Sequence, residues 1–169
     1  MKNALRTSAV LALAAASLSS CATLGGLSGI IQAPRLSSAD DRNAELRLSG
    51  PGGGGYGATL RVFARVHNPN PFGITLSTVR GALFLEGQQA ADVDLPLGLP
   101  LEARDETVVP IDLTIPLEDV PALARMLARA VTGAPVAYRL DGTLGVRAGE
   151  LGTPTFGPLT LLEGQVRVR

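Results

Sequence analysis

At 169 residues, with 46% hydrophobic and 18% charged side chains, the chain has the size and make-up of one ordinary globular domain, not of a disordered or fibrous protein. Its 15 basic and 15 acidic residues cancel, which removes the basic field that a nucleic-acid partner requires. One His and one Cys exclude a metal site assembled from several imidazoles or thiolates of a single chain, and the lone Cys also excludes an intrachain disulfide framework. Twenty Gly, twelve Pro and no Trp imply many turns around a core of Leu, Val and Ala.

The chain begins as an export signal. Lys2 and Arg6 form a short positive region, and Ala9 to Ala16 is an unbroken apolar run. Such a run is too short to cross a bilayer, which takes roughly 20 residues, but it suits the apolar stretch of a secretory leader. Leu18-Ser19-Ser20-Cys21 follows and resembles the lipobox of bacterial lipoproteins. That resemblance implies cleavage between Ser20 and Cys21, with residues 1–20 removed and Cys21 acylated as the mature N-terminus. At about 0.8 kcal/mol per buried methylene, two or more acyl chains anchor a protein essentially permanently. Ala22 after the lipid site implies, by resemblance to sorting rules in two-membraned bacteria, the outer membrane, with the domain expected on its periplasmic face. Losing Lys2 and Arg6 leaves 13 basic residues, all Arg, against 15 acidic ones. Residues 21–29 then read as a lipid-anchored tether of small residues. At ~3.3 Å per residue, Ala22 to Gly29 reaches about 26 Å and holds the domain, residues 30–169, close to the headgroups.

Beyond Ile30 the pattern is that of strands. Glu45 to Ser49 is a brief one, followed by the glycine-rich loop Gly50 to Gly57, which lacks the Lys-Ser/Thr pair of a phosphate cradle. Leu60, Val62, Ala64 and Val66 alternate with Arg61, Phe63, Arg65 and His67, the period of a half-buried strand. Val79, Gly81, Leu83 and Leu85 repeat it up to a tight turn at Glu86-Gly87, and Val93, Leu95 and Leu97 continue, with Asp92 and Asp94 facing outward. Val109, Ile111, Leu113 and Ile115 form another strand, which Pro110 marks as an edge. Leu117, Val120, Leu123, Ala124, Leu127, Ala128 and Val131 fall instead at helical spacing. A helix over about Glu118 to Thr132 is expected, with Glu118, Asp119 and Pro121 at its start and Gly133 at its stop. Val136, Tyr138, Leu140, Leu144 and Val146 return to period two, and a last strand is expected between Leu159 and Val168. Six or seven strands with one inserted helix predict an all-β chain, an antiparallel β-sandwich.

The first long strand closes on Asn68-Pro69-Asn70-Pro71-Phe72-Gly73. Two prolines fix φ near −65° and remove two amide donors, while the Asn carboxamides can bond nearby backbone in their place. Phe72 is then free to fold back over the end of the sandwich, with Gly73 able to take positive φ. The stretch Ala64 to Phe72, the Leu85-Glu86-Gly87 turn, the strand Val108 to Ile115, the Leu-rich helix and Val136-Ala137-Tyr138-Arg139-Leu140-Asp141-Gly142 occur in one order. Together they resemble the type-2 late embryogenesis abundant proteins, also described as the WHy (water stress and hypersensitive response) domain, over about residues 30 to 166. The resemblance implies an immunoglobulin- or fibronectin-like β-sandwich with one helix, a stress-related role and no catalytic residues.

Candidates for chemistry are few. His67 is the single imidazole; Ser77 and Thr78 lie near it in sequence, and Asp112 could approach it in the fold, but no Gly-x-Ser-x-Gly elbow is present. Glu102, Asp105 and Glu106 cluster in a turn without the spacing of a calcium loop. No catalytic residue, metal or cofactor is expected. The leading expectation is a non-enzymatic lipoprotein that protects or spaces the envelope under desiccation or osmotic stress, its partner the membrane through Cys21. The alternative is a binding module for a lipid tail or for a strand of an envelope protein.

Overall fold

The computed structural model describes residues 30–39, 41–49, 57–116 and 121–168. The leader, Cys21, the tether, residues 50–56 of the glycine-rich loop, and Glu118 and Asp119 lie outside the described residues. Eight strands are described: β1 (Arg35–Ser38), β2 (Glu45–Ser49), β3 (Gly57–His67), β4 (Ile74–Leu85), β5 (Gln88–Leu101), β6 (Glu106–Pro116), β7 (Val136–Arg147) and β8 (Thr155–Val168). The helix α1 spans Pro121–Ala130, between β6 and β7. The all-β class and the single helix hold. Two elements extend the expectation: β1 is too short to show a period, and β8 begins four residues before Leu159 because its first half lies on the surface, where no alternation marks it.

Apart from the first half of β8, the long strands form where period two was legible. In β3, Ala58, Leu60, Val62, Ala64 and Val66 are buried and their neighbours are not; β7 does the same with Val136, Tyr138, Leu140, Leu144 and Val146. One edge of β3 pairs with β6 from Gly57↔Pro116 to His67↔Glu106. Its other edge is shared, by β2 over Gly57–Arg61 and by β1 over Ala64–His67. β4 lies between β5 and β7, and β7 pairs with β8. The β4–β5 turn is the expected tight one, Leu85 pairing with Gln88 across Glu86 (φ 48°) and Gly87 (φ 77°).

Pairing does not divide the strands into two sheets. β2 runs parallel to the end of β8 through Glu45↔Arg167 and Leu46↔Val168, so the order is one open path, β1-β3-β2-β8-β7-β4-β5, with β6 on the far side of β3. The inward residues of β3, β4, β6, β7 and β8 nevertheless belong to one apolar cluster. Alternate residues of a strand face opposite ways, so this open sheet must curl its apolar face around a single core.

The helix ends at Ala130, two residues before the expected Thr132, and part of its apolar stripe differs from the expected one. Leu123, Met126 and Ala130 face the core, whereas Ala128 is exposed and Val131, past the last turn, is 60% exposed. Leu123 is thus buried as expected, and Met126 and Ala130 join it in the core. Gly133 (φ 93°) ends the helix as expected, its N–H donating to the Ala130 carbonyl at 2.9 Å.

Candidate functional site

The most heavily constructed place in the molecule is the Asn68-to-Gly73 turn. Asn68 and Asn70 are both 0% exposed and are the buried polar side chains among the described residues. Burying a carboxamide is costly unless its donors and acceptor are met, and here they are. Asn68 Nδ2 donates to the carbonyls of Phe72 (2.9 Å) and Glu102 (2.7 Å), while its Oδ1 accepts from the Asn70 amide (3.0 Å) and from Asn70 Nδ2 (2.9 Å). Asn70 clasps the entering chain: its Oδ1 accepts the Gln32 N–H at 2.7 Å and its Nδ2 donates to the Gln32 carbonyl at 2.9 Å. The Asn68 N–H bonds the Asp105 carbonyl, and the Asn70 carbonyl accepts from Arg104, which is held at φ 57° in the β5–β6 turn.

Two side chains thus tie together three loops far apart in sequence: the entry at Gln32, the turn itself, and Glu102 to Asp105. The prolines make this possible, because Pro69 and Pro71 have no amide that would itself need a partner. Phe72 is half-buried and packs on the core, as expected. Gly73 corrects the expectation. It does not adopt positive φ, and a Cβ there would sit 3.5 Å from the Leu101 carbonyl, an ordinary contact. The left-handed residue of this corner is Arg104, where the β5–β6 turn needs it.

The node contains no titratable side chain, so it cannot move a proton at neutral pH. The groups considered for acid–base or nucleophilic work stay apart. His67 ends β3 in register with Arg35 and Glu106. Asp112 pairs across the strands with Arg61, six residues and about 20 Å back along β3. The Asp112 carboxylate takes both arms of that guanidinium, Nε to Oδ1 at 2.6 Å and Nη2 to Oδ2 at 2.7 Å, and this hydrogen bonding holds its pKa below the ordinary carboxylate value. Ser77 belongs to an irregularity of β4, its Oγ 3.5 Å from the Thr75 carbonyl. Of the turn acids, Glu106 sits on Arg65 at 2.8 Å, while Glu102 and Asp105 remain at the surface. Among the described residues no three His, Cys, Asp or Glu come together as metal ligands. Asp94 faces outward onto Arg80 (3.1 Å), and Asp92 accepts from Gln89, both on the edge strand β5.

Several contacts could not be anticipated. Tyr138 reaches across to Ser38 Oγ (3.0 Å), which also donates to the Glu163 carbonyl (3.0 Å), fastening β1 to β8 where no ladder joins them. The Tyr138 ring lies over Gly164, its cross-strand partner, where a Cβ would come within 2.8 Å of the hydroxyl. Gly81 and Gly142 oppose each other so closely that a Cβ on either would overlap the neighbouring backbone, of Asp141 and Arg80 respectively. The surface depressions described are open to solvent; one of about 910 Å³ runs between Leu36–Ser38 and Thr160–Glu163.

The late embryogenesis abundant protein family (LEA_2) matches residues 63–159, from the middle of β3 into β8. No curated protein sequence matches the chain. A solution structure of a protein from Arabidopsis thaliana is similar at 20% identity and a TM-score of 0.56, over 81% of this chain and 83% of that one. A second solution structure, described as a late embryogenesis abundant (LEA) protein, is similar at 18% identity and a TM-score of 0.52, over 84% of this chain and 74% of that one. At these identities the likeness is one of fold.

Proposed function

This chain belongs to the late embryogenesis abundant protein family, and from that premise we propose that it acts without catalysis, as a lipid-anchored protein that protects or spaces components of the bacterial envelope when water is withdrawn. The observation that carries the reading is the Asn68–Asn70 node. The best-organised polar groups of the molecule are fully buried, fully bonded and unable to ionise, which is the chemistry of a rigid body and not of a reactive centre. The anchor is supported by the basic and apolar leader followed by Leu18-Ser19-Ser20-Cys21, and a tether of about 26 Å would keep the domain at the membrane. Ala22 supports the outer membrane and its periplasmic face.

Two experiments test this reading. Cys21→Ser should move the protein from the detergent-soluble membrane fraction to the soluble one, and unchanged partitioning would refute lipidation. A deletion strain should survive drying and osmotic upshift less well than its parent; equal survival would refute the protective role. Co-purified lipid found by mass spectrometry on the protein beginning at Ala22 would favour the binding alternative instead.

A further inference from the structure

The open sheet leaves strand edges unpaired, and unpaired edges are ready templates for another strand. We infer that these edges are built to prevent strand addition, so that the chain stays a separate monomer when loss of water concentrates it.

The outer edges of β5 and β6 lie at the ends of the pairing order, each strand having a ladder on one side only. β5 carries Pro96 opposite Thr78 and Pro100 opposite Thr75. β6 carries Pro110 opposite Phe63 and Pro116 opposite Gly57. Proline has no N–H, and a strand holds it where that N–H would have pointed to solvent. All four prolines therefore delete donors from the outer edge and leave the inner ladder whole. Between Pro96 and Pro100 the β5 register also slips, with Gly98 at φ 58°, so the edge bends as well. Asp92 and Asp94, both exposed, add charge just before the prolines.

The remaining edges are guarded by other means. Away from β7, β8 pairs only at Arg167 and Val168, but its free stretch is broken by an irregularity at Gly157-Pro158, between the Gly142↔Leu159 and Leu144↔Phe156 pairs. β1 is four residues long, and its outer side is fastened to β8 through Ser38. Along β5 and β6, exposed runs of regular, unguarded backbone are therefore short. A partner bound along β5 or β6 would meet side chains and not a strand edge, in contrast to the strand-accepting role considered from the sequence.

The test restores the donors. In the protein beginning at Ala22, which lacks the leader and the lipid site, Pro96→Thr with Pro100→Thr, and separately Pro110→Thr, return N–H groups to the two outer edges; Pro135→Thr, exposed but outside any strand, is the control. Each protein is concentrated stepwise, then dried and rehydrated, while sedimentation and thioflavin fluorescence are followed. The wild type and Pro135→Thr should stay monomeric and recover in full. The edge variants should self-associate at concentrations at least tenfold lower, with amide exchange slowed in β5 or β6. Edge variants that remain as monomeric as the wild type would overturn the inference. So would a wild type that associates with protection of its β5 or β6 amides, a result that decides the matter even if a variant fails to fold.

Discussion

Replacing Asn68 with Ala removes the centre of the buried node and tests whether the turn motif is structural. Four contacts of 3.0 Å or less disappear: two donated to the Phe72 and Glu102 carbonyls and two accepted from Asn70. At about 0.5–1.5 kcal/mol net each, four bonds sum to about 2–6 kcal/mol. The Asn70 amide is left buried with no second acceptor among the described residues, which puts the expected loss at about 3–5 kcal/mol. For a domain of this size, at roughly 3 °C per kcal/mol, the melting temperature should fall by about 9–15 °C. Urea unfolding of the protein beginning at Ala22 measures this as a lower midpoint at an unchanged slope. Asn68→Asp sharpens the test, because it keeps the shape and the acceptor but sets an anion against the Phe72, Leu101 and Glu102 carbonyls. It should be at least as damaging at neutral pH and recover in part as acid protonates the carboxylate, since the neutral acid can donate again. If both variants unfold within about 1 kcal/mol of the wild type, the node does not hold the three loops together and the motif needs another explanation.

Asn70→Ala should instead free the entering chain at Gln32, read as new protease cleavage near Ile31 with a smaller change in midpoint. Gly142→Ala should cost about 3 kcal/mol or more in urea unfolding, because its Cβ overlaps the Arg80 backbone and neither strand can retreat without breaking a ladder. Tyr138→Phe should cost about 1 kcal/mol and speed amide exchange in β1, while Gly164→Ala should cost more in the wild type than in Tyr138→Ala, where the ring is gone. Asp112 has its pKa lowered mainly by the Arg61 hydrogen bond, so its contribution is complete above the unfolded carboxylate pKa of about 3.9 and disappears as pH falls through the lower folded value. The difference between wild type and Asp112→Asn should therefore be largest near neutral pH, vanish in strong acid and shrink in high salt, the pair being exposed.

How far the fold was legible depended on whether a residue's partner was close in sequence or revealed by a period. β3, β7 and the Glu86-Gly87 turn were readable because burial on one face writes itself as alternation, and a two-residue turn needs only its own residues. The edge character of β6 was readable from Pro110 alone. β1 was not, since four residues show no period, and neither was the β2–β8 contact, where two parallel pairs join segments more than a hundred residues apart and merge what would otherwise be two sheets. In α1 the burial of Met126 and Ala130 was not read from the sequence, where Ala128 and Val131 fit the helical spacing equally well. At the site, Asn68 and Asn70 were legible as residues that bond backbone, but Gln32, Glu102 and Arg104 were not legible as the groups they hold. A hydrogen bond to a main-chain carbonyl puts no demand on the side chain of its partner, so no sequence signal marks it.

The arrangement of charge bears on why this body suits the role proposed for it. On the outward faces Arg61 meets Asp112, Arg65 meets Glu106, Arg80 meets Asp94, Arg139 meets Asp141 and Arg47 meets Glu45, each within 3.1 Å. Each pair by itself contributes little to stability, because exposed ion pairs are solvated and screened. Their effect is on the field. Neighbouring opposite charges cancel beyond a few ångströms, so each of these pairs adds little to a long-range field that could steer a charged partner. Drying raises the salt concentration and shortens the screening length, which would strip a protein that relies on a one-sign surface of its long-range repulsion. Charges paired in this way have little such repulsion to lose. The protein then depends on having no sticky backbone to expose, which is the property the prolines of β5 and β6 supply.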